Sequence, residues 1–429
     1  MPTKYKTVSG DTWDFISYKK YGSCKYTDKV IAENIKYMNV VMFPAGVDLT
    51  LPDIAVETAS TLPPWKRQRT MNTSTLQDYA KKLFRTPIMA SGHPARQTKA
   101  IILYDDKDIS TEIQQYVKSI TIDDELGSKA DAINITLEDR PEIWKADWLP
   151  ERGAMLTVSL ISTQWVTAGD LQELPLGKFE IDEIECSGAP EEVKIKGISV
   201  PNNAEIRSVD HNQAWEKTKL SVIAKEFADR AKMTLFFDAD DDPELDRADQ
   251  TEETDLAFLQ KLCSDAGLCL KVSDEQIIII DEQKYEEKEP VVTIIKGNDS
   301  TISYSITSTI QEVYKACHVK YQHGKKEELI EYTYTDPNRK EGLTLQVNEK
   351  VEDIAAAEKL AKKKLREKNK EECKGSITMV GNFYIMAGIT IKLEGFGKFD
   401  NKYIVTKASH SLGNGYTVQF DIRRCISGY

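Results

Sequence analysis

The chain has 429 residues, of which 40% are hydrophobic and 29% are charged. At roughly 150 residues per domain this length predicts two to four domains, and the apolar content excludes wholesale disorder. The formal net charge is −12, yet residues 1–69 carry 10 basic against 7 acidic residues. The other 47 basic and 62 acidic residues form an acidic body. Such a body argues against specific nucleic-acid binding, which needs clustered Lys and Arg.

Several broad classes of protein are excluded by simple patterns. The longest purely aliphatic run, Ile277–Ile280, is far shorter than the roughly 18 apolar residues that span a bilayer, so we expect no membrane segment. No apolar segment follows Met1–Tyr5, which predicts no secretory signal. The seven cysteines are scattered without a CxxC pair, which predicts reduced thiols and no structural zinc site.

The N-terminal segment has the pattern of a strand followed by a helix. Lys4–Val8 alternates as a strand, and Ser9–Asp11 forms a turn. Asp11 or Thr12 is placed to cap a helix, and Gly22 to end it. The apolar side chains of this helix are Trp13, Ile16 and Tyr21.

A second helix and a closing strand follow. The helix is predicted over Asp28–Ile35, with Val30, Ile31 and Ile35 buried. After a turn at Pro44–Gly46, a strand with Val47, Leu49 and Leu51 stops at Pro52. The predicted module is therefore βααβ.

This module resembles a LysM domain of the phage tail protein X type. The residues that carry the resemblance are Tyr5, Val8, Gly10–Trp13, Ile16, Tyr21–Gly22, Asn34, Phe43–Val47, Leu49 and Leu51–Pro52. The resemblance implies a binding surface on two loops, made of Gly10, Asp11 and Thr12 with Pro44, Ala45 and Gly46. LysM loops commonly bind glycan, but we favour docking onto a protein partner because a fold does not fix a function.

The rest of the chain has a β, then α+β, then β layout, so the fold class is α+β and mainly β. Residues 1–54 form the LysM-like domain, residues 55–87 a linker, and residues 88–203 a first antiparallel β-barrel. Residues 204–288 form an α+β insert, and residues 289–429 a second barrel with a helix over 352–373. The predicted strands of the first barrel include Ile120–Ile122, Ala132–Leu137, Met155–Ile161, Lys178–Ile184 and Glu192–Ile198.

Helix caps and one hairpin define the predicted insert. Thr218 is placed to cap one helix, and Thr254 to cap another that Gly267 closes. A hairpin is predicted from Leu268–Val272 and Gln276–Ile280. The helix over 352–373 is rich in Lys and Arg, which indicates a solvated face or a face that meets an acidic neighbour.

A search for catalytic or metal-binding motifs returns none. Cys317, His318 and His323 lie in a predicted strand where the two histidines point to opposite faces, which argues against a metal site. Asp238, Asp240 and Asp242 resemble the start of a calcium loop, but Pro243 and Asp249 replace its required Gly and Glu. No nucleophile elbow, phosphate loop or HExxH helix is present. We therefore expect no catalytic residue, cofactor or metal.

The acidic body resembles the phage late control D family, the baseplate hub of contractile tails. The matching stretches are Asp139–Pro141, Trp144, Trp148–Gly153, Leu176–Ile184, Ser187–Gly188, Pro190, Trp215, Lys217–Thr218, Leu220, Ile223–Ala224, Glu253, Asp255–Leu259, Leu365–Asn369, Gly381–Asn382, Gly388, Gly395–Tyr403 and Arg423–Cys425. The resemblance spans roughly residues 88–429.

This resemblance implies a structural hub without enzymatic activity. It implies that each chain contains two tube-like barrels and that three chains together form a pseudo-sixfold ring, which joins a hexameric tail tube to a trimeric spike. The implied partners are two further copies, the spike, the tail tube protein and baseplate wedge proteins, with the tape measure protein as another candidate. The LysM-like module is expected to hold the wedge proteins. The acidic balance is expected to keep the lumen from gripping DNA or other cargo.

The rival interpretation is a LysM-targeted protein that binds or degrades peptidoglycan. The absence of a secretion signal and of a zinc or Cys–His arrangement argues against the enzyme. The resemblance implies a location in the bacterial cytoplasm during assembly and then in the baseplate of a phage tail or of a tail-like particle, such as a bacteriocin or a contractile injection system.

Overall fold

A computed structural model describes residues 3–21, 26–53, 63, 75–84, 96–127, 129–167, 169–199, 205–298, 300–322 and 329–427. The protein is mainly β, as predicted. By its internal contacts the chain divides into two compact units: the first comprises residues 1–69, 139–149 and 187–192, and the second the remainder. No helix in these ranges is long and apolar enough to cross a membrane.

In the first unit, the βααβ order is confirmed. β1 (Thr3–Lys6) pairs antiparallel with β2 (Asp48–Leu51), and α1 (Trp13–Tyr21) and α2 (Thr27–Glu33) lie between them in the chain. The fully buried residues of this small core are Ile16, Val30, Phe43, Leu49 and Leu51.

The prediction that Ile35 is buried is wrong, because its side chain is 65% exposed. α2 ends at Glu33 and a 3-10 turn over Ile35–Tyr37 follows, which changes the direction of this side chain. Ile31 is half-buried. Gly22, the predicted end of the first helix, lies outside the described residues.

The second unit begins with α3 (Leu76–Leu83), inside the segment predicted as a linker. Thr75 caps this helix: its hydroxyl accepts a hydrogen bond from the Asp78 amide at 3.3 Å, and the Asp78 carboxylate accepts one from the Thr75 amide at 2.9 Å. Part of the predicted linker is therefore a capped helix.

The strands predicted between residues 117 and 198 are all present. The elements here are β3 (Gln97–Tyr104), β4 (Lys107–Asp108), α4 (Ser110–Gln114), β5 (Val117–Glu125), β6 (Ala132–Glu138), β7 (Met155–Thr163), β8 (Leu171–Ser187) and β9 (Glu192–Ile198).

The next elements form an α+β segment around a small mixed sheet. They are α5 (Glu205–Ser208), β10 (Asp210–Lys219), α6 (Leu220–Arg230), β11 (Thr234–Asp238), β12 (Glu244–Thr254), α7 (Asp255–Ala266), β13 (Cys269–Ser273), β14 (Gln276–Ile280) and α8 (Glu282–Glu287). The hairpin of β13 and β14 is confirmed, and β11 adds to β14 in parallel. β10 pairs antiparallel with β12. Trp215, Phe227 and Phe258 pack together in the core.

Of the three helix ends predicted in this segment, the structure confirms two. The Thr254 hydroxyl accepts from the Ala257 amide at 3.3 Å, and Gly267 ends α7 with φ +77°, so both predictions are confirmed. The prediction for Thr218 is wrong, because α6 starts at Leu220 and Thr218 belongs to β10. Asp242 instead accepts a hydrogen bond from the Ser221 amide at 3.0 Å.

The remaining elements contain a second mixed sheet covered by the basic helix. They are β15 (Val292–Ile295), β16 (Thr301–Ser308), β17 (Tyr314–Gln322), β18 (Leu329–Thr335), β19 (Leu343–Val347), α9 (Ile354–Asn369), β20 (Cys373–Val380), β21 (Thr390–Glu394), β22 (Lys402–Gly413) and β23 (Gly415–Arg424). α9 buries Ala357, Ala361 and Leu365 in a cluster with Cys317 and Val319 of β17. This helix ends at Asn369 rather than at 373, because Cys373 starts β20.

Strands from both predicted barrel segments join one 13-stranded sheet. They meet where β22 pairs with β5 over Lys407–Leu412. The first part of β22 pairs on the same side with β21, so β21 and β5 occupy successive parts of one edge of β22. The domain boundaries predicted from the sequence stay predictions.

Candidate functional site

The two loops predicted as a binding surface lie side by side in the first unit. The Gly10 amide donates to the Phe43 carbonyl at 3.0 Å, and the Phe43 amide donates to the Asp11 carbonyl at 2.8 Å. These bonds pair the first loop with the residue that precedes Pro44. The structure therefore brings together two loops that are more than thirty residues apart in the chain.

Thr7, which the sequence analysis did not single out, holds the second loop. Its hydroxyl donates to the Pro44 carbonyl at 2.6 Å and accepts from the Val47 amide at 2.9 Å. Its carbonyl accepts from the Gly46 amide at 2.8 Å. Gly46 has φ +94°, a conformation that favours glycine, so the turn depends on both Thr7 and Gly46.

Asp11 serves the fold of the loops rather than their surface. Its side chain is buried, and it accepts hydrogen bonds from the Tyr5 hydroxyl at 2.9 Å and from the Val8 amide at 2.7 Å. Thr12 is half-buried and its hydroxyl donates to Asp14, a hydrogen bond that lowers the pKa of Asp14. The exposed members of the predicted surface are Gly10, Pro44, Ala45 and Gly46.

Apolar side chains next to these loops are also exposed. Val41 is 82% exposed and Met42 is 64% exposed, directly before the buried Phe43. Phe15 on α1 and Met38 after the 3-10 turn are likewise exposed. Exposed apolar side chains of this kind are typical of surfaces that contact other proteins.

The other candidates for chemistry are held in structural interactions. His318 contacts Thr333 at 2.8 Å and Glu331 at 2.9 Å, and burial raises the pKa of Cys317 to about 11. His323 lies outside the described residues. Among the residues that the structure describes, no group of three or more His, Cys, Asp or Glu side chains could hold a metal ion.

The acidic loop around Asp238–Asp242 and the basic helix α9 both form ion pairs. Lys284 contacts Asp238 and Asp240, whereas Asp242 bonds α6. The basic side chains of α9 meet acidic neighbours, which is one of the two alternatives that the sequence left open. The ion pairs are Lys359–Asp241, Lys362–Glu358, Lys364–Glu349, Arg366–Glu286 and Lys368–Glu312.

The main sheet contains the same strand order twice. One half reads β5, β6, β9, β8, β7, β3, and we call it the N-terminal strand group. The other half reads β16, β20, β23, β22, β21, β15, and we call it the C-terminal strand group. The last pairing differs, because β3 is antiparallel to β7 whereas β15 is parallel to β21.

Individual hydrogen bonds repeat between the two groups. The Ile181 carbonyl in β8 accepts from the Gly153 amide at 2.8 Å, and the Ile181 amide donates to Ala154 at 2.9 Å. Val405 in β22 makes the same two bonds, to Gly388 at 2.8 Å and to Ile389 at 2.9 Å. β8 and β22 therefore occupy equivalent positions, with Ile181 corresponding to Val405.

The pairing of the first two strands of each group also repeats. The register of β5 on β6 shifts between Val117 and Ser119, and the register of β16 on β20 shifts between Thr301 and Ser303. This bulge makes Val117 correspond to Thr301, and thus β5 to β16. Sequence patterns alone did not show the repeat, because few side chains are shared.

Direct side-chain contacts hold the two groups together at the β22–β5 junction. The Ser409 hydroxyl donates to Asp123, the residue opposite it in the register. Lys407 lies 3.0 Å from Glu125, and the hydroxyls of Thr121 and Ser411 are 3.3 Å apart. This junction combines backbone pairing with charge and hydroxyl contacts between segments almost 300 residues apart.

Two protein families match separate parts of the chain. Residues 3–60 match the Phage Tail Protein X family, which covers the βααβ module. Residues 280–423 match the YQBQ-like family, which covers the C-terminal strand group. The predicted resemblance of the N-terminal module to tail protein X is confirmed.

Curated relatives are phage baseplate proteins. The probable baseplate hub protein of Escherichia phage P2 is 27% identical over 237 residues, which are 52% of this chain and 56% of that protein. The probable baseplate hub protein of Escherichia phage 186 is 24% identical over 291 residues, which are 66% of this chain and 69% of that protein. The chain thus spans little more than half the length of the phage P2 relative. The predicted resemblance to baseplate hub proteins is confirmed.

A solved structure shows the same fold. The 43 kDa tail protein of prophage MuSo2 from Shewanella oneidensis has a TM-score of 0.59 and 14% identity, and the match covers 77% of this chain and 99% of that protein. The chain is therefore similar to phage tail proteins in sequence and in fold.

Proposed function

We propose that this protein is a non-enzymatic baseplate hub of a contractile phage tail or of a phage-tail-like particle. The observation that carries this proposal is the repeated strand order, which places two equivalent strand groups in one chain. Three copies then present six equivalent groups, which suits a hexameric tube on one side and a trimeric spike on the other. The similarity to the two phage hub proteins supports the same role.

Each strand group forms a tube-type barrel in this proposal, with the α+β segment inserted between the two barrels. The hub is a passive adaptor at the end of the tail, and its partners are the tail tube protein, the spike and, inside the tube, the tape measure protein. The acidic balance of residues 70–429 favours a lumen that repels nucleic acid or acidic cargo. A lumen lined by neutral or basic side chains in the assembled ring would contradict this electrostatic part of the proposal.

The N-terminal module is proposed to dock onto baseplate wedge proteins. The exposed Val41 and Met42 beside the paired loops support a protein partner, because burial of apolar side chains drives protein association. The second candidate is peptidoglycan, which the exposed Gly10 and Pro44–Gly46 would contact. Binding of the variant Val41→Asp/Met42→Asp to purified wedge proteins, against wild type, tests the first candidate. Val166→Asp is the matched control, because Val166 is 63% exposed in the other unit.

Native mass spectrometry of the full chain, alone and co-expressed with the spike protein, tests the hub role. A trimer, or a complex of three hub and three spike chains, is the expected result. A monomer under both conditions contradicts the hub. A monomer that also clears a peptidoglycan suspension would support the cell-wall enzyme instead.

A further inference from the structure

Two strands in equivalent positions differ in how their edges are used. β22 has a neighbour along both parts of one edge, first β21 and then β5. β8 pairs with β7 only as far as Glu180, and Ile181 extends this pairing to Ala154. Among the described strands, none pairs with that edge of β8 beyond Ile181. The second part of β8 therefore lacks the neighbour that its counterpart β22 has.

The strand that corresponds to the missing neighbour is β16. It is equivalent to β5 by its shared register shift, yet its outer edge has no partner among the described strands. None of the eight residues of β16, Thr301–Ser308, is charged or proline, although 29% of the chain is charged. Proteins usually protect an edge strand with such residues, because an unprotected edge pairs with other chains.

Side-chain exposure also indicates that β16 lacks a neighbouring strand within a single copy. Tyr304 is 43% exposed and Ile306 is half-buried, and by the shared register shift these residues correspond to Ile120 and Ile122 of β5. In the equivalent strand β5, Ile120 and Ile122 are fully buried beside β22. The difference between β5 and β16 is the presence of a neighbouring strand.

We propose that β16 of one copy pairs antiparallel with the second part of β8 in a neighbouring copy, which repeats the β22–β5 junction between chains. This inference rests on the proposed hub function, which supplies a ring of identical chains. Each copy offers one open β8 edge and one open β16 edge, so the contact is head-to-tail and a closed ring pairs both of these edges in every copy. The partner of each edge is therefore a second copy of this chain.

The equivalence also specifies the register of the contact. Ser409 lies opposite Asp123 in the β22–β5 junction. Ser409 lies four residues after Val405, so its equivalent in β8 is Glu185, four residues after Ile181. Asp123 lies six residues after Val117, so its equivalent in β16 is Thr307, six residues after Thr301. The equivalent pair between two copies is therefore Glu185 opposite Thr307. In the same way, the pair of His410 and Ile122 becomes Cys186 opposite Ile306. Glu185 and Thr307 are both exposed in a single copy.

Disulfide trapping tests this register. Directly opposite residues on paired strands lie about 4.5–5.5 Å apart at Cα, which a disulfide spans. In a Cys186→Ser background, the double variant Glu185→Cys/Thr307→Cys is expected to form covalent dimers and trimers in most of the oxidised sample. Reductant should return these species to monomers on a denaturing gel.

The matched control shifts one cysteine along the same face of β16. Ser303 lies four residues from Thr307, a displacement of roughly 13 Å at 3.3 Å per residue. Glu185→Cys/Ser303→Cys and each single variant should therefore give less than one tenth of the cross-linked product. Equal cross-linking in the shifted control would overturn the proposed register.

A measurement on the wild type keeps the inference independent of the variants. Amide hydrogen exchange over Ser303–Thr307 is expected to be at least tenfold slower in the trimer than in a diluted, dissociated sample. A trimer whose β16 amides exchange rapidly and whose double variant does not cross-link overturns the inference but leaves the hub role standing. A wild-type monomer, by contrast, contradicts the hub role itself.

Discussion

Lys271 of β13 lies 3.0 Å from Asp131, and the same ammonium group also contacts Asp124 of β5. Burial alone lowers the pKa of Lys271, but the two carboxylates outweigh it and raise the pKa above the ordinary value of lysine. Asp124 also accepts a hydrogen bond from the Ala387 amide at 2.7 Å. This buried triad joins the α+β segment to both strand groups.

The first prediction concerns this triad. Lys271→Met leaves two buried carboxylates without their cation and should lower the free energy of unfolding by about 3–5 kcal/mol. Adding Asp124→Asn and Asp131→Asn should restore most of the loss, since neutral amides need no counter-charge. Urea unfolding measures both changes. Lys225→Met, at an exposed ion pair with Asp229, is the control and should unfold like wild type; an equal loss there would contradict the argument.

The second prediction concerns acid stability. His410 is almost fully buried, stacks on Tyr416, and its Nδ1 lies 2.8 Å from the Tyr416 hydroxyl while its Nε2 lies 3.0 Å from the Ile385 carbonyl. Burial lowers its pKa to about 4. Between pH 6.5 and 4 the unfolded chain therefore binds a proton that the folded chain does not.

The stability contributed by the neutral His410 is complete above about pH 6.5 and falls as the pH is lowered towards 4. At about 1.4 kcal/mol per pH unit the loss amounts to roughly 2–3 kcal/mol. Unfolding free energies at pH 7 and pH 4.5 should differ less in His410→Gln than in wild type. Identical pH dependence in wild type and His410→Gln would contradict this assignment.

The third prediction compares two equivalent glycines. Gly153 and Gly388 have φ of +86° and +88°, so an alanine at either site is strained by about 1–2 kcal/mol. A Cβ at Gly153 meets open space, whereas a Cβ at Gly388 lies 3.2 Å from Leu126 Cδ1. Thermal unfolding should therefore show a larger loss for Gly388→Ala than for Gly153→Ala. The reverse order would contradict the argument that the close contact with Leu126 adds to the strain at Gly388.

The fourth prediction concerns the paired loops of the N-terminal module. Thr7→Val keeps the shape of the side chain but leaves the Pro44 carbonyl and the Val47 amide without their hydroxyl partner. The cost should be about 1–3 kcal/mol, because both groups are near a buried side chain. Faster hydrogen exchange at Leu49 and Leu51 in the full chain measures the loss. Thr12→Val, which removes an exposed hydrogen bond, should change this exchange much less.

Local sequence was sufficient for the elements whose stability depends on one buried face. Period-two alternation predicted β5, β6 and β9 because each of these strands alternates between buried and more exposed residues. It also located the predicted parts of β7 and β8, although both strands bury three consecutive residues. Thr254 and Gly267 predicted the ends of α7 because a cap needs only its own helix terminus. The resemblance to tail protein X implied that the loops around Gly10–Thr12 and Pro44–Gly46 share a binding surface, whereas their hydrogen bonds to each other required the structure.

Features that depend on residues far apart in the sequence were not predicted. Asp242, twenty-one residues from Ser221, bonds the start of α6, so the nearby Thr218 was the wrong candidate. The charged β10 and β12 lack clear alternation, and their pairing around Trp215 is visible only in three dimensions. The basic run of α9 was ambiguous because its acidic partners come from several distant segments.

Periodicity and caps depend on interactions within one strand or one helix, so residue order alone determines where these elements begin and end. Which strands become neighbours depends on long-range packing and on the loop entropy that packing overcomes. The alternation of β5 and β22 is evident in the sequence, but their pairing, between Asp123 and Ser409, required the folded chain. The open edges of β8 and β16 likewise follow from how the described strands pair in three dimensions and not from residue order.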